Sequence, residues 1–234
     1  MGCDIHFYTE TKTDGRWQPA DQWEPNEYAG EEGETDLRVP YEKAFYHDRN
    51  YNLFAILADV RNGRGFAGCD TGDGFVPIDD PRGLPEDVTD LVKADADRWG
   101  DDGHSHSWFT VAELLQYDWT QTTKLRGYLS AHEFWRWNRW ARQRGESPGG
   151  WCGDVGGGST RKVSEVEMNA LLQPFGTDWS AEDQIKAELG DVYCQCDWEQ
   201  PYFKTVRSFW SDAMPRLMRL GKPEDVRIVF WFDN

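Results

Sequence analysis

The sequence predicts an α+β fold: a mixed sheet holding both the N- and C-terminal strands, with several capped helices packed against it. Three observations predict it. Residues 3–11 alternate apolar and polar side chains, residues 226–233 are rich in β-branched and aromatic types, and Ser/Thr-x-x-Glu patterns recur between them ahead of apolar runs.

The elements follow in order. Cys3, Ile5 and Phe7 alternate with Asp4, His6, Tyr8 and Glu10, which gives a strand with an apolar face and a polar one. Residues 13–48 run through Gly, Pro and acidic clusters with little periodicity, so a long irregular loop is expected there, pinned by Trp17, Trp23, Tyr28 and Tyr41. Leu53, Phe54, Ile56, Leu57 and Val60 keep helical spacing after the capping Asn50 and Asn52. A glycine-rich stretch from Asn62 to Gly74 ends that helix, and Pro85 opens a second one that stops at Gly100. Thr110 with Glu113, Ser130 with Glu133 and Ser164 with Glu167 each read as a capping box. Ser180 starts a short helix that ends at Gly190.

The last third is a strand over 191–199, a helix opened by Pro201 and kinked at Pro215, and the final strand. A crossover of that length predicts a parallel pair joined right-handedly. No repeat or linker divides the chain, so one α+β domain over 1–234 is expected.

Charge bounds the partners. The 234 residues carry 42 Asp and Glu against 25 Lys and Arg, a formal charge of −17. Phosphate backbones and anionic membranes are themselves negative, which argues against direct nucleic-acid binding and a membrane partner. No apolar run approaches the ~20 residues of a membrane span. The start, MGCDIHFYTE, lacks the basic and apolar segments of a secretory signal, so a cytoplasmic protein is expected. The acid is uneven: residues 1–118 hold 26 acids and 10 bases, whereas residues 119–162 hold 3 and 8. Five scattered cysteines predict no structural disulfide, and Cys194 and Cys196 should share a buried strand face with Val192 and Trp198.

Two groups of residues could carry chemistry. Asp4 and His6 lie two apart on one strand face, and His104 and His106 precede the helix capped by Thr110. Carboxylate and neutral imidazole are ligands for zinc or manganese, so these four form a candidate set for a divalent metal. Asp233, at the end of the last strand, is a candidate catalytic base. The second group is the basic, Trp-rich segment, where Arg136 and Arg139 lie three apart on one helical face. With Tyr8 and Trp231 they are the candidate ligand-binding residues, suited to a small anionic, nucleotide-like molecule. The alternative for these arginines is internal pairing with the acidic half of the chain.

Asp4-x-His6 and Gly103-His104-x-His106 are similar to the first and last motifs of calcineurin-like metallophosphoesterases. The intervening motifs are absent, and fewer than a hundred residues separate the ends, so only the ligand chemistry carries over. The opening GCDIHFY, the central HSHSWFTVAELL and the closing VRIVFWFDN together resemble a family of uncharacterised proteins of bacteriophages and their bacterial hosts. That resemblance implies a phage-type setting in the host cytoplasm and no particular reaction. The expected function is therefore a metal-dependent hydrolase of a small phosphorylated or nucleotide-like molecule. The alternative is a non-enzymatic binder that sequesters a nucleotide signal or inhibits a host protein in counter-defence.

Overall fold

A computed structural model describes residues 2–31, 34–176 and 178–233. Its first half contains the strands β1 (Asp4–Thr13), β2 (Arg16–Pro19), β3 (Glu24–Pro25) and β4 (Leu37–Arg38), then the helices α1 (Tyr51–Ala58) and α2 (Asp90–Trp99), and then β5 (His104–Thr110) and α3 (Val111–Gln116). Its second half contains β6 (Thr122–Ser130), α4 (Ala131–Arg136), β7 (Arg161–Val163), α5 (Glu165–Leu172), α6 (Ala181–Leu189), β8 (Val192–Pro201), α7 (Tyr202–Thr205), α8 (Met214–Leu217) and β9 (Val226–Asp233). The fold is α+β. It falls into two compact units, residues 1–62, 76–119 and 203–234 in the first, and 63–75 with 120–202 in the second.

The first unit is built on an antiparallel sheet of order β2-β1-β9-β5, so the first and last strands lie side by side. Central β9 reads as a continuous apolar run because both of its faces are covered; its residues 226–232 are all buried. Val92 and Ala96 of α2 pack with Val229 and Trp231 on one face. On the other, Phe54 of α1 lies 4.9 Å from the Phe232 ring, and Phe209 contacts Phe7 at 6.3 Å. The 13–48 segment is not featureless: β2 prolongs the sheet at its edge, and β3 and β4 form a two-stranded ribbon.

The second unit holds a three-stranded sheet of order β6-β8-β7, in which β7 runs parallel to β8 and β6 antiparallel to it. Val192, Cys194, Cys196, Trp198 and Gln200 of β8 are buried, the alternation predicted for the two thiols. Gly72 explains how the 63–75 segment reaches β6. It bridges Leu125, and a Cβ on it would stand 2.1 Å from the Lys124 carbonyl oxygen, a distance only glycine allows.

Four expectations are corrected. The strands β8 and β9 belong to different sheets, so the crossover does not make a parallel pair. The helix predicted after Pro201 is broken into α7, a π-turn at 209–213 and α8, and α2 begins at Asp90 rather than Pro85. Ser130 makes no side-chain cap; its hydroxyl instead meets His132 Nδ1 at 2.9 Å. Thr110 and Ser164 do close their capping boxes.

Candidate functional site

In the first unit the polar face of β1 carries Asp4, His6 and Tyr8, each directly opposite a residue of β9: Asp233, Trp231 and Val229. Ladder register therefore brings the chain's two ends together. His6 Nε2 lies 3.3 Å from Asp233 Oδ2, while Asp233 Oδ1 accepts the Asp4 backbone N–H at 3.0 Å. Burial pushes the His6 imidazole below its usual range, against the opposing pull of Asp233. At neutral pH this ring is an uncharged base beside a carboxylate. Its Nδ1 has no hydrogen-bond partner among the described residues.

The neighbours fix this geometry. The His6 ring packs on Trp99 at 4.2 Å and on Trp231 at 5.4 Å, and Tyr8 stacks between Trp231 and Trp23, both at 5.2 Å. Tyr8 donates its hydroxyl to Asp95 Oδ2 at 2.6 Å, and Asp95 also takes the Arg98 guanidinium. Burial first, and then the Asp95 carboxylate, hold the Tyr8 phenol well above its ordinary range, so it stays protonated. A cavity of about 590 Å³ touches Asp4, His6 and Tyr8 on one side and the 38–47 segment on the other.

The four expected metal ligands do not form one set. Asp4 is held by Arg49, whose Nε donates to Oδ1 at 2.7 Å and whose second nitrogen reaches Oδ2; this ion pair lowers the Asp4 carboxyl. His106 stacks on Trp231 at 5.5 Å, on the His6 face. His104 is opposite Phe232, on the other face, with its ring 6.1 Å from that phenyl. A bulge between His104 and Ser107, with Ser105 at φ +53°, separates the two imidazoles. Among the described residues no group of three or more His, Cys, Asp or Glu side chains could hold a metal ion. Trp231, expected as a ligand contact, is wholly buried.

The basic segment lies in the second unit, and most of its arginines find carboxylates there. Arg126 binds Asp70 and Asp197, each at 2.8 Å, Arg142 binds Glu165 at 2.7 Å, and Arg144 binds Glu146. Arg136 sits more loosely, 3.9 Å from Glu133 and 3.8 Å from Glu182. Arg139 differs. Among the described residues its guanidinium has no carboxylate within ion-pair distance, and it lies over the rings of Trp135 and Trp140 at 5.5 and 5.7 Å. It lines an open cavity of about 550 Å³ with Trp135, Phe175, Asn138, Gln143 and Gln173. A π-turn at Trp137–Ala141 presents it, the kind of helix irregularity that recurs at functional sites.

Arg49, Asp95 and Trp99 escaped the sequence reading because each touches β1 from a distant segment. The Asp95-x-x-Arg98 spacing was the one local sign of an ion pair. No helix among the described residues is long and apolar enough to cross a membrane. No protein-family model matches the chain, and comparison with curated proteins and with solved structures gave no match.

Proposed function

We propose that this protein binds a small anionic, flat-faced molecule of nucleotide type in the Arg139 cavity. The observation that carries the reading is the Arg139 guanidinium, which among the described residues has no carboxylate within ion-pair distance and feels only the more distant Asp178, in a segment whose neighbouring arginines are paired. A planar fork with free N–H groups binds phosphate or carboxylate in two-pronged fashion. The indole of Trp135 and the phenyl of Phe175 offer ring faces, and Gln143 and Gln173 offer amide donors and acceptors with no partner among the described residues. A cavity of this size is ordinary for a small-molecule site. Sequestration of such a molecule suits a phage-type accessory role better than turnover, because the described residues of the cavity wall include no carboxylate, imidazole or thiol to move a proton.

The test is thermal stabilisation and calorimetry with ATP, AMP, a cyclic dinucleotide and inorganic phosphate. Binding that falls at least tenfold in Arg139→Ala, with unchanged folding, is the expected result. No shift with any of the four anions would overturn the reading.

A second reading, a hydrolase acting on a phosphorylated small molecule, is favoured by the His6–Asp233 pair beside the cavity in the first unit. His6 would accept a proton from water while Asp233 orients the ring. Phosphoesterase assays with and without zinc or manganese, compared with His6→Ala, test it. Equal activity in the variant sinks it.

A further inference from the structure

The pairing of β1 changes along its length. From Thr9 onward its odd-numbered residues bond to the β2 side: Thr9 O accepts from Ala20 N at 2.9 Å, and Thr11 and Thr13 continue opposite Gln18 and Arg16. Thr9 N donates to Asp21 Oδ2 at 2.6 Å, a carboxylate standing where a strand would continue. Antiparallel strands alternate their bonding direction, so the even residues face β9 and Ile5 and Phe7 turn their backbone groups outward on this same side. Among the described residues the N–H and C=O of Ile5 and Phe7 have no hydrogen-bond partner. Ile5 and Phe7 are 9 % and 4 % exposed, and both side chains lie on the face that meets Phe232 and Phe230.

What lies beside them is open space. The 590 Å³ cavity touches five consecutive residues, Asp4 to Tyr8. Successive side chains of a strand point to opposite faces, so a cavity meeting all five runs along the strand's edge. A row of unpaired backbone groups is a template for a further strand, and natural sheets normally cover such an edge.

We propose that the open edge of β1 takes an extended, basic peptide segment of a partner protein as an added strand. The partner's backbone would bond to Ile5 and Phe7, and the free carboxylate at the rim would select its charge. Asp4 and Glu24 are already neutralised by Arg49 and Lys43, whereas Glu42 has no ionic partner among the described residues. The chain's charge of −17 favours a cationic segment and disfavours a second copy of itself. Strand addition draws its affinity from main-chain bonds and its selectivity from side chains, so a simple probe suffices. This inference is independent of the Arg139 cavity.

Residue-resolved amide exchange on the full chain tests it, with the acetylated peptide Lys-Val-Thr-Val-Lys, its backbone N-methylated form and the Glu-flanked analogue at millimolar concentration. The free protein should exchange Ile5 and Phe7 much faster than His6 and Tyr8, and the basic peptide should slow those two amides at least tenfold. The N-methylated peptide should have no effect, and Glu42→Gln should weaken the basic peptide severalfold without changing the free protein. Equal protection of all four amides in the free monomer would overturn the proposal. So would an edge closed by dimerisation in sedimentation, or no added protection with any peptide.

Discussion

Arg227 Nε donates to Glu10 Oε2 at 2.7 Å with both side chains essentially out of solvent, 2 % and 0 % exposed. The two residues are directly opposite in the β1–β9 ladder, so this ion pair locks the register of the first strand against the last. Glu10 spends its other oxygen on the Thr89 N–H, and Arg227 also reaches Asp87 at 2.7 Å and lies over Trp17. Removing one partner of a buried pair strands the other charge, at about 3–5 kcal/mol. Arg227→Met should therefore lose on that order in urea unfolding. Adding Glu10→Gln should recover part of the loss, because the amide still serves Thr89 without a charge. No recovery in the double variant would mean that the cost lies in packing.

Asp21 sets a second expectation. It is 8 % exposed, and burial above all pushes its carboxyl from 3.8 up to about 7, although the Thr9 N–H favours the charged form. A carboxyl raised in the folded state adds stability below its unfolded value and loses it as pH rises through the folded one. That window runs from about pH 4 to pH 8, and the size is on the order of 4 kcal/mol. Asp21→Asn keeps the acceptor for Thr9 and carries no proton to lose. Urea unfolding at pH 5 and pH 8 should show a smaller pH difference in the variant, with the gain at pH 8. Parallel profiles would show that Asp21 ionises freely.

His6 has the opposite sign. Its folded value lies below 6.5 through burial, so its contribution to stability is present above pH 6.5 and is lost as pH falls through the folded value. The Asp233 carboxylate is the main force raising it. Imidazole proton shifts followed by NMR should give His6 a midpoint below 6.5, and Asp233→Asn should move it lower still. A rise in that variant would contradict the pairing.

The fold class was legible because both end strands carry strong local patterns, and their pairing, Ile5 against Phe232 and Phe7 against Phe230, follows from two apolar faces meeting. The candidate site was only partly legible. Alternation placed Asp4, His6 and Tyr8 together, since strand period alone decides that. Only their shared place ahead of the Thr110 cap groups His104 with His106, and there the bulge at Ser105 puts them on opposite faces of the sheet. The clamps on Asp4 and Tyr8 come from residues 45 and 87 positions away, beyond any local pattern. Charge counting showed a basic centre, but the choice between paired and free arginines depended on where Glu165, Glu182 and Asp197 fold back.

Two serines with one motif test how far a local pattern determines a contact. Ser164 accepts the Glu167 N–H at 3.2 Å while Glu167 Oε2 takes the Ser164 N–H at 2.8 Å, a closed box at the start of α5. Ser130 precedes α4 with the same Ser-x-x-Glu spacing, yet Glu133 is drawn away to the Gly150 N–H at 3.1 Å, and His132 stands beside the Ser130 hydroxyl. A helix cap lost to alanine costs about 1 kcal/mol, because an end N–H loses its acceptor. Ser164→Ala should lose that much. Ser130→Ala has no cap to lose and should stay within about 0.5 kcal/mol, the range of ordinary surface changes. Chemical unfolding of the two variants side by side decides it. Equal losses would mean that Ser130 caps α4 in solution and that Glu133 is free to return to it.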